Sequence, residues 1–231
     1  MAGKLSVVST PIGNLEDMTY RGIRILSEAD AILSEDTRTT AKLLKHYQIP
    51  HKPLFSFFEG NENEKQEQVL QMLRDGANLA LVSESGTPLI SDPGFKLVRQ
   101  AVEEGVKVES IPGATALIAA LTASGLPTNA FLFLGFLPKK ESHTRDLILK
   151  TKDTIQKIDQ LKTVIMYESP HRLVQTLHLI EEVFGDIQIV VARELTKLYE
   201  EVRREKVSAS ITHFTTKTPK GEFTILFEKS N

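Results

Sequence analysis

The stretch Leu79-Ala80-Leu81-Val82-Ser83-Glu84-Ser85-Gly86-Thr87-Pro88-Leu89-Ile90-Ser91-Asp92-Pro93-Gly94 decides the fold. It opens on a short apolar run, as a strand buried on both faces does. A long loop rich in Gly, Pro and Ser follows. After Gly94, Leu97, Val98, Ala101 and Val102 recur at helical spacing until Gly105 stops the helix, and residues 107–111 read as the next strand. Strand, loop, helix and strand in succession form the repeating unit of a parallel sheet with helices on its faces.

The same alternation extends in both directions. Toward the N-terminus, residues 5–9, 31–34 and 54–58 read as strands, and 20–26, 39–47 and 64–75 as helices. A helical run rich in small residues covers 114–124, and Gly125-Leu126-Pro127-Thr128-Asn129 breaks it with turn chemistry. A second series begins there. Strands are predicted over 130–134, 163–167, 187–192, 202–204 and 223–227, and helices over 139–161, 170–184 and 208–214. The expected architecture is two α/β domains, residues 1–122 and 123–231, with largely parallel sheets. Such a pair makes a cleft, and ligands bind at strand C-terminal ends.

The chain has 231 residues and no cysteine, which excludes disulfides, thiolate zinc sites and a cysteine nucleophile, and suits a reducing compartment. No apolar run is long enough to cross a bilayer, and the start at Met1 leads too directly into a strand for a secretory signal, so a cytoplasmic location without a membrane partner is expected. A net charge of −2 argues against a protein that coats nucleic acid. Charge is uneven, however. Lys139, Lys140, Arg145, Lys150, Lys152 and Lys157 face only Glu141, Asp146 and Asp153 within 139–157, a net of +3. That stretch is either a solvated helix face or a phosphate-contacting rim.

No two glycines are spaced two apart, so the G-x-G-x-x-G dinucleotide fingerprint is missing, as are the P-loop and the G-x-S-x-G elbow. Gly and Pro cluster instead directly after three strands. The clusters are Thr10-Pro11-Ile12-Gly13-Asn14, the long loop after residue 83, and Pro112-Gly113-Ala114-Thr115-Ala116. Each could be an ordinary turn, but three at one sheet edge would expose backbone amides and carbonyls to a ligand.

These loops carry a resemblance. Ser9-Thr10-Pro11-Ile12-Gly13-Asn14-Leu15, Glu35-Asp36-Thr37-Arg38 and Ser85-Gly86-Thr87-Pro88-Leu89-Ile90-Ser91-Asp92-Pro93-Gly94 are similar to the tetrapyrrole-methylase superfamily, and within it to the ribosomal RNA small subunit methyltransferase I branch. Gly135-Phe136-Leu137-Pro138, Tyr167-Glu168-Ser169-Pro170-His171-Arg172, Ala192-Arg193-Glu194-Leu195-Thr196-Lys197 and Gly221-Glu222-Phe223 continue it in order over nearly the whole chain. Glu84 stands where many relatives have Asp, and the chain ends at Asn231 where relatives often continue into a further helical segment.

The resemblance implies two α/β domains of the tetrapyrrole-methylase type with the cofactor, S-adenosylmethionine, in the cleft between them. It implies 2′-O-methylation of a cytidine in the decoding region of small-subunit rRNA, as naked RNA or a 30S particle, by a homodimer that needs no metal. Methyl transfer from a sulfonium needs the methyl and the acceptor oxygen close and collinear, and help for a poorly acidic ribose hydroxyl to lose its proton. Expected cofactor contacts are Pro11, Thr87, Ile90, Ser91, Thr115 and Ala116, with Tyr167, Ala192, Arg193, Gly221 and Glu222 from the second domain. Asn14 and Arg172 are expected to bind the acceptor. Asp36 and Glu168 are the candidate bases, and Arg38 and Lys197 the catalytic cations.

Plainer roles stand beside these. Thr115 could cap the helix it precedes, Asp92 could cap the helix after Pro93, and Asp36 with Arg38 could form a structural ion pair. His171 and His178 are spaced too widely for the usual metal pair and read as surface or packing residues. The competing functions are a methyltransferase of the same fold acting on a small tetrapyrrole-like substrate, and a non-catalytic RNA-binding module.

Overall fold

A computed structural model describes residues 3–229. Met1, the start of the stretch read against a secretory signal, and Asn231 lie outside the described residues. The chain divides into two compact units, with the division between Thr115 and Ala116. That is earlier than the boundary expected after residue 122.

The first unit is built on five strands, β1 (Lys4–Val8), β2 (Ala31–Ser34), β3 (Leu54–Ser56), β4 (Asn78–Val82) and β5 (Lys107–Ile111). They pair in the order β3-β2-β4-β1-β5, every pair parallel. Four helices cover the sheet: α1 (Tyr20–Glu28), α2 (Thr37–His46), α3 (Glu62–Arg74) and α4 (Phe95–Glu103). Period-2 alternation on β4 explains how they divide. Leu79 and Leu81 pack with Leu70, Leu73, Leu97 and Ala101 of α3 and α4. Ala80 and Val82 pack with Ile25, Leu26 and Leu44 of α1 and α2. A sheet covered on both faces needs strands apolar on both, which is why β4 reads as one continuous apolar run.

The second unit contains α5 (Ala116–Ser124), β6 (Phe131–Phe136), α6 (Glu141–Lys157), β7 (Thr163–Glu168), α7 (Leu173–Phe184), β8 (Gln188–Arg193), β9 (Glu201–Lys206), α8 (Val207–Thr216) and β10 (Phe223–Glu228). Its strand order is β6-β7-β10-β8-β9. Only β6 and β7 pair in parallel; β10 runs antiparallel to β7 and β8, and β9 antiparallel to β8. The largely parallel expectation therefore holds for the first sheet and not the second. The turn at 194–200 contains no helix, so β8 and β9 join as a hairpin instead of by a crossover.

Helices α6, α7 and α8 cover one face of this sheet around Val164, Met166, Val191 and Ile225. Leu117, Ala120 and Leu121 of α5 cover the other, around Ile165, Val190, Ala192 and Leu226. This packing places α5 in the second unit, although the sequence reading attached it to the first. None of the described helices is long and apolar enough to cross a membrane.

Candidate active site

All five strands of the first unit end at one sheet edge. The helix after β1 lies on one face and the helix after its neighbour β4 on the other. Where outgoing chains part in this way, a ligand crevice opens. The loops that resemble the family meet there. Thr10 N–H donates to the Gly86 carbonyl at 2.8 Å, and Gly86 N–H returns a bond to the Thr10 carbonyl at 3.2 Å.

Three hydroxyls gather beside this pair. Thr87 Oγ1 donates to the Ala114 carbonyl at 3.0 Å and lies 2.9 Å from Ser9 Oγ and 2.6 Å from Thr115 Oγ1. A hydroxyl has one proton and two lone pairs. With the Thr87 proton on Ala114, Ser9 and Thr115 must donate to Thr87, and each keeps its own lone pairs for another donor. Thr115 thus spends its proton on Thr87. Gly113 rides directly over Ser9, where an added Cβ would lie 2.8 Å from the Ser9 Cβ. The close approach of the loops depends on that glycine.

Backbone strain marks the same loop. Leu89 and Ser91 have φ of 73° and 70°, and Glu194 and Thr196 in the second unit have 49° and 66°. Only Gln48 joins them among the described non-glycine residues with positive φ. Such backbone costs about 1–3 kcal/mol per residue and persists where surrounding structure over-determines it, often at ligand sites. Ile90 and Ser91 are exposed on this loop, and Pro11 is buried at the base of its neighbour.

Asn14 caps the short 3-10 helix Leu15–Asp17, accepting from Glu16 N–H at 3.0 Å. Asp36 caps α2 through Arg38 N–H and binds the Arg38 side chain twice, at 3.2 and 3.0 Å. The Arg38 side-chain bonds and backbone N–H hold the Asp36 carboxyl below its usual range, which weakens it as a proton acceptor. Arg38 itself is 87% exposed along its side chain, so its charge faces water.

A cavity of about 350 Å³ opens beside Ser91, lined by Glu35, Glu59, Glu62, Asp92 and Lys96. Burial pushes the Asp92 carboxyl up to about 6, against a hydrogen bond from Ser83 and with the help of Glu84. Burial raises Glu35 as well, followed by the charges of Asp92, Glu84 and Glu59. This concavity repels phosphate. Asp92 does not cap α4; Gly94 N–H donates to the buried Glu62 at 3.2 Å instead.

In the second unit the C-terminal ends of β6, β7 and β8 and the N-terminal ends of β9 and β10 share one edge, where Phe223 pairs with both Glu168 and Arg193. This brings Tyr167, Glu168, Ala192, Arg193, Gly221 and Glu222 to neighbouring strand ends. Alternation then divides them. Tyr167 and Ala192 face α5. Glu168 faces α7, where it is 1% exposed.

Both Glu168 oxygens are engaged. Oε1 accepts from Ser169 N–H at 2.7 Å and from Arg172 Nη2 at 2.8 Å, and Oε2 from the Thr176 hydroxyl at 2.6 Å. Arg172 Nη1 donates to the Leu137 and Pro138 carbonyls at 3.0 and 2.8 Å. The side chain expected as a base is thus buried and ties the start of α7, through Arg172, to the end of β6. Tyr167 accepts from Leu117 N–H at 3.0 Å, fixing the first turn of α5, and packs edge-on against Phe133.

Arg193 donates to the Lys220 carbonyl at 2.7 Å and pairs with Glu201. Lys197 Nζ lies 3.0 Å from Glu194 and 2.9 Å from Glu222. Partial burial pulls its pKa down, but the two carboxylates outweigh that and the net shift is upward, so Lys197 is a fixed cation. Gly221, at φ 95°, leaves room for Glu194, whose side chain a Cβ would meet at 2.5 Å. Sequence reasoning missed Ser9, Thr176 and Glu194 as parts of these networks; Ser9 and Glu194 lie inside quoted motifs, but Thr176 carries no local signal. Among the described residues no three His, Cys, Asp or Glu side chains gather as a metal site.

A family model described as Tetrapyrrole (Corrin/Porphyrin) Methylases matches residues 4–210. The chain is 45% identical over 224 residues to ribosomal RNA small subunit methyltransferase I of Thermotoga maritima, with 97% of each chain covered. It is 43% identical to the Bacillus subtilis protein of the same name, covering 99% of this chain and 76% of that one. Among solved structures it is similar to diphthine synthase, at TM-score 0.71 and 12% identity with 98% and 90% of the two chains covered. It is also similar to uroporphyrin-III C-methyltransferase from Thermus thermophilus in complex with S-adenosylhomocysteine, at TM-score 0.64 and 17% identity with 97% of each covered. The span matched by the family model takes in the loops of the first unit and those after β6, β7 and β8, and the chain belongs to the tetrapyrrole methylase family, in its ribosomal RNA small subunit methyltransferase I branch.

Proposed function

We propose that this chain transfers the methyl group of S-adenosylmethionine to the ribose 2′-hydroxyl of a cytidine in the decoding region of small-subunit ribosomal RNA. The hydroxyl cluster of Ser9, Thr87 and Thr115 carries the reading, because it offers lone pairs and carbonyls at a switch point. Those groups suit ribose hydroxyls and a cationic sulfonium. When bound, the cofactor supplies an electrophilic methyl and a neutral thioether leaving group.

The residues that would hold it are Pro11, Thr87, Ile90, Ser91 and Thr115 of the first unit. Ala116, Tyr167, Ala192, Arg193, Gly221 and Glu222 of the second are proposed to complete the set. Asn14 and Arg172 are assigned to the acceptor nucleotide. Arg38 and Lys197, as permanent cations, stabilise the alkoxide that forms when the hydroxyl loses its proton, or the phosphates flanking it. Asp36 and Glu168 hold Arg38 and Arg172 in place. The substrate is read as the RNA or the 30S particle, and the enzyme as a cytoplasmic homodimer.

Calorimetric titration with S-adenosylmethionine tests this reading. The wild type and Arg38→Ala should bind the cofactor, Thr87→Asp should not, and Arg38→Ala should lose methyl transfer. A wild type that binds no S-adenosylmethionine removes the proposal.

A further inference from the structure

Between Phe133 and Phe136 of β6 the chain takes three steps while β7 takes two, from Ile165 to Tyr167. One extra residue is thus inserted, and Gly135 takes φ 64°. A bulge reverses the side-chain alternation beyond it. Leu132 and Leu134 pack toward α6 and α7, and an unbroken strand would send Phe136 there too. The bulge turns it to the α5 face, where its ring lies 5.4 Å from Tyr167 with 55% of the residue exposed.

The position is rigid. Arg172, anchored on buried Glu168, grips the Leu137 and Pro138 carbonyls immediately after the ring. Two cations come next. Lys139 and Lys140 are exposed, and neither makes a side-chain ion pair or hydrogen bond among the described residues. Within the same basic stretch, Arg145 pairs with Glu182, Lys150 with Asp146, and Lys152 with the Val183 carbonyl. Three residues of chain, at most about 11 Å, separate the Cα atoms of Phe136 and Lys139.

Resting on the RNA methyltransferase reading above, we propose that Phe136 is a stacking platform for a base of single-stranded RNA and that Lys139 and Lys140 neutralise the phosphates beside it. An exposed aromatic on a fixed backbone next to unpaired cations is the combination that holds unpaired nucleotides. A protein partner would be served less well, because the two lysines would each need an acidic group placed to meet them.

The test measures binding of a fluorescent single-stranded decoding-region RNA to the full chain across salt concentrations, with S-adenosylmethionine affinity measured in parallel. Phe136→Ala should weaken RNA binding about tenfold, and Phe136→Trp should restore it. Lys139→Gln with Lys140→Gln should lower the slope of log K against log salt by about 1.4, roughly 0.7 for each phosphate no longer neutralised. Cofactor affinity should not change in any variant. Loss of cofactor affinity in Phe136→Ala, which Phe136→Trp restores, would mean that the ring stacks on the cofactor's adenine and would overturn the proposal. So would variants that bind RNA as the wild type does while the wild type methylates small-subunit RNA. A wild type that methylates no small-subunit RNA overturns the underlying reading as well.

Discussion

Thr87 holds three partners on one oxygen, and its removal tests the switch-point cluster directly. Thr87→Val keeps the volume but leaves the Ala114 carbonyl without its donor and the Ser9 and Thr115 hydroxyls without their acceptor. It should cost about 1–3 kcal/mol in urea denaturation and weaken cofactor binding, while Thr87→Ser should retain most of both. Glu168→Ala should be more damaging, because it leaves Arg172 unpaired at a largely buried site. A loss of about 3 kcal/mol is expected, the low end for a broken buried pair because Arg172 is still partly hydrated. At this scale sequence reasoning offered the Asp36–Arg38 ion pair beside a catalytic role and gave no sign of the Glu168–Arg172 pair. Asp36 and Glu168 were legible as conspicuous carboxylates. That each is held by an arginine two or four residues on depends on rotamers and burial, and spacing alone could equally have left them free.

Elements were legible wherever an apolar period was uninterrupted. The strands over 31–34 and 107–111 have the bounds read from sequence, and most other elements differ by one or two residues at an end. The bulge in β6 left only Gly135 as a trace, because one inserted residue changes which face a side chain takes without changing composition. The loop at 83–94 carries a pH-dependent prediction. Asp92, raised from 3.8 to about 6, binds its proton more tightly in the folded chain than in the unfolded one. Between those values the folded state holds more protons, so this group's contribution to stability falls as pH rises. Asp92→Asn should therefore gain on the wild type progressively from about pH 4 to 6, read by denaturant unfolding at each pH. In the loop before β10, which packs on the turn at 194–200, Gly221→Ala should cost about 1 kcal/mol or more and shift Glu194, with Lys197 following it.

For the molecule as a whole, strand–helix alternation was enough to read two α/β units, because each strand buried on both faces leaves an apolar run that no turn resembles. It was not enough to place α5. Its residues are small and apolar on every side, so no polar face indicates which sheet it will cover, and packing against Ile165, Val190 and Leu226 decides the matter. Strand direction in the second sheet was hidden because its reversal lies in the short β8–β9 hairpin, while α8 joins β9 to β10, which run parallel, as a crossover does. The most direct test at this scale follows the methyl group itself. Purified protein, S-adenosylmethionine labelled in its methyl group and unmethylated small-subunit RNA or 30S particles are incubated together, and the RNA is hydrolysed with alkali. The account predicts label in an alkali-resistant dinucleotide that yields 2′-O-methylcytidine, with transfer abolished in Arg38→Ala. Label on a base, no label on RNA, or label carried by a tetrapyrrole offered in competition would contradict it.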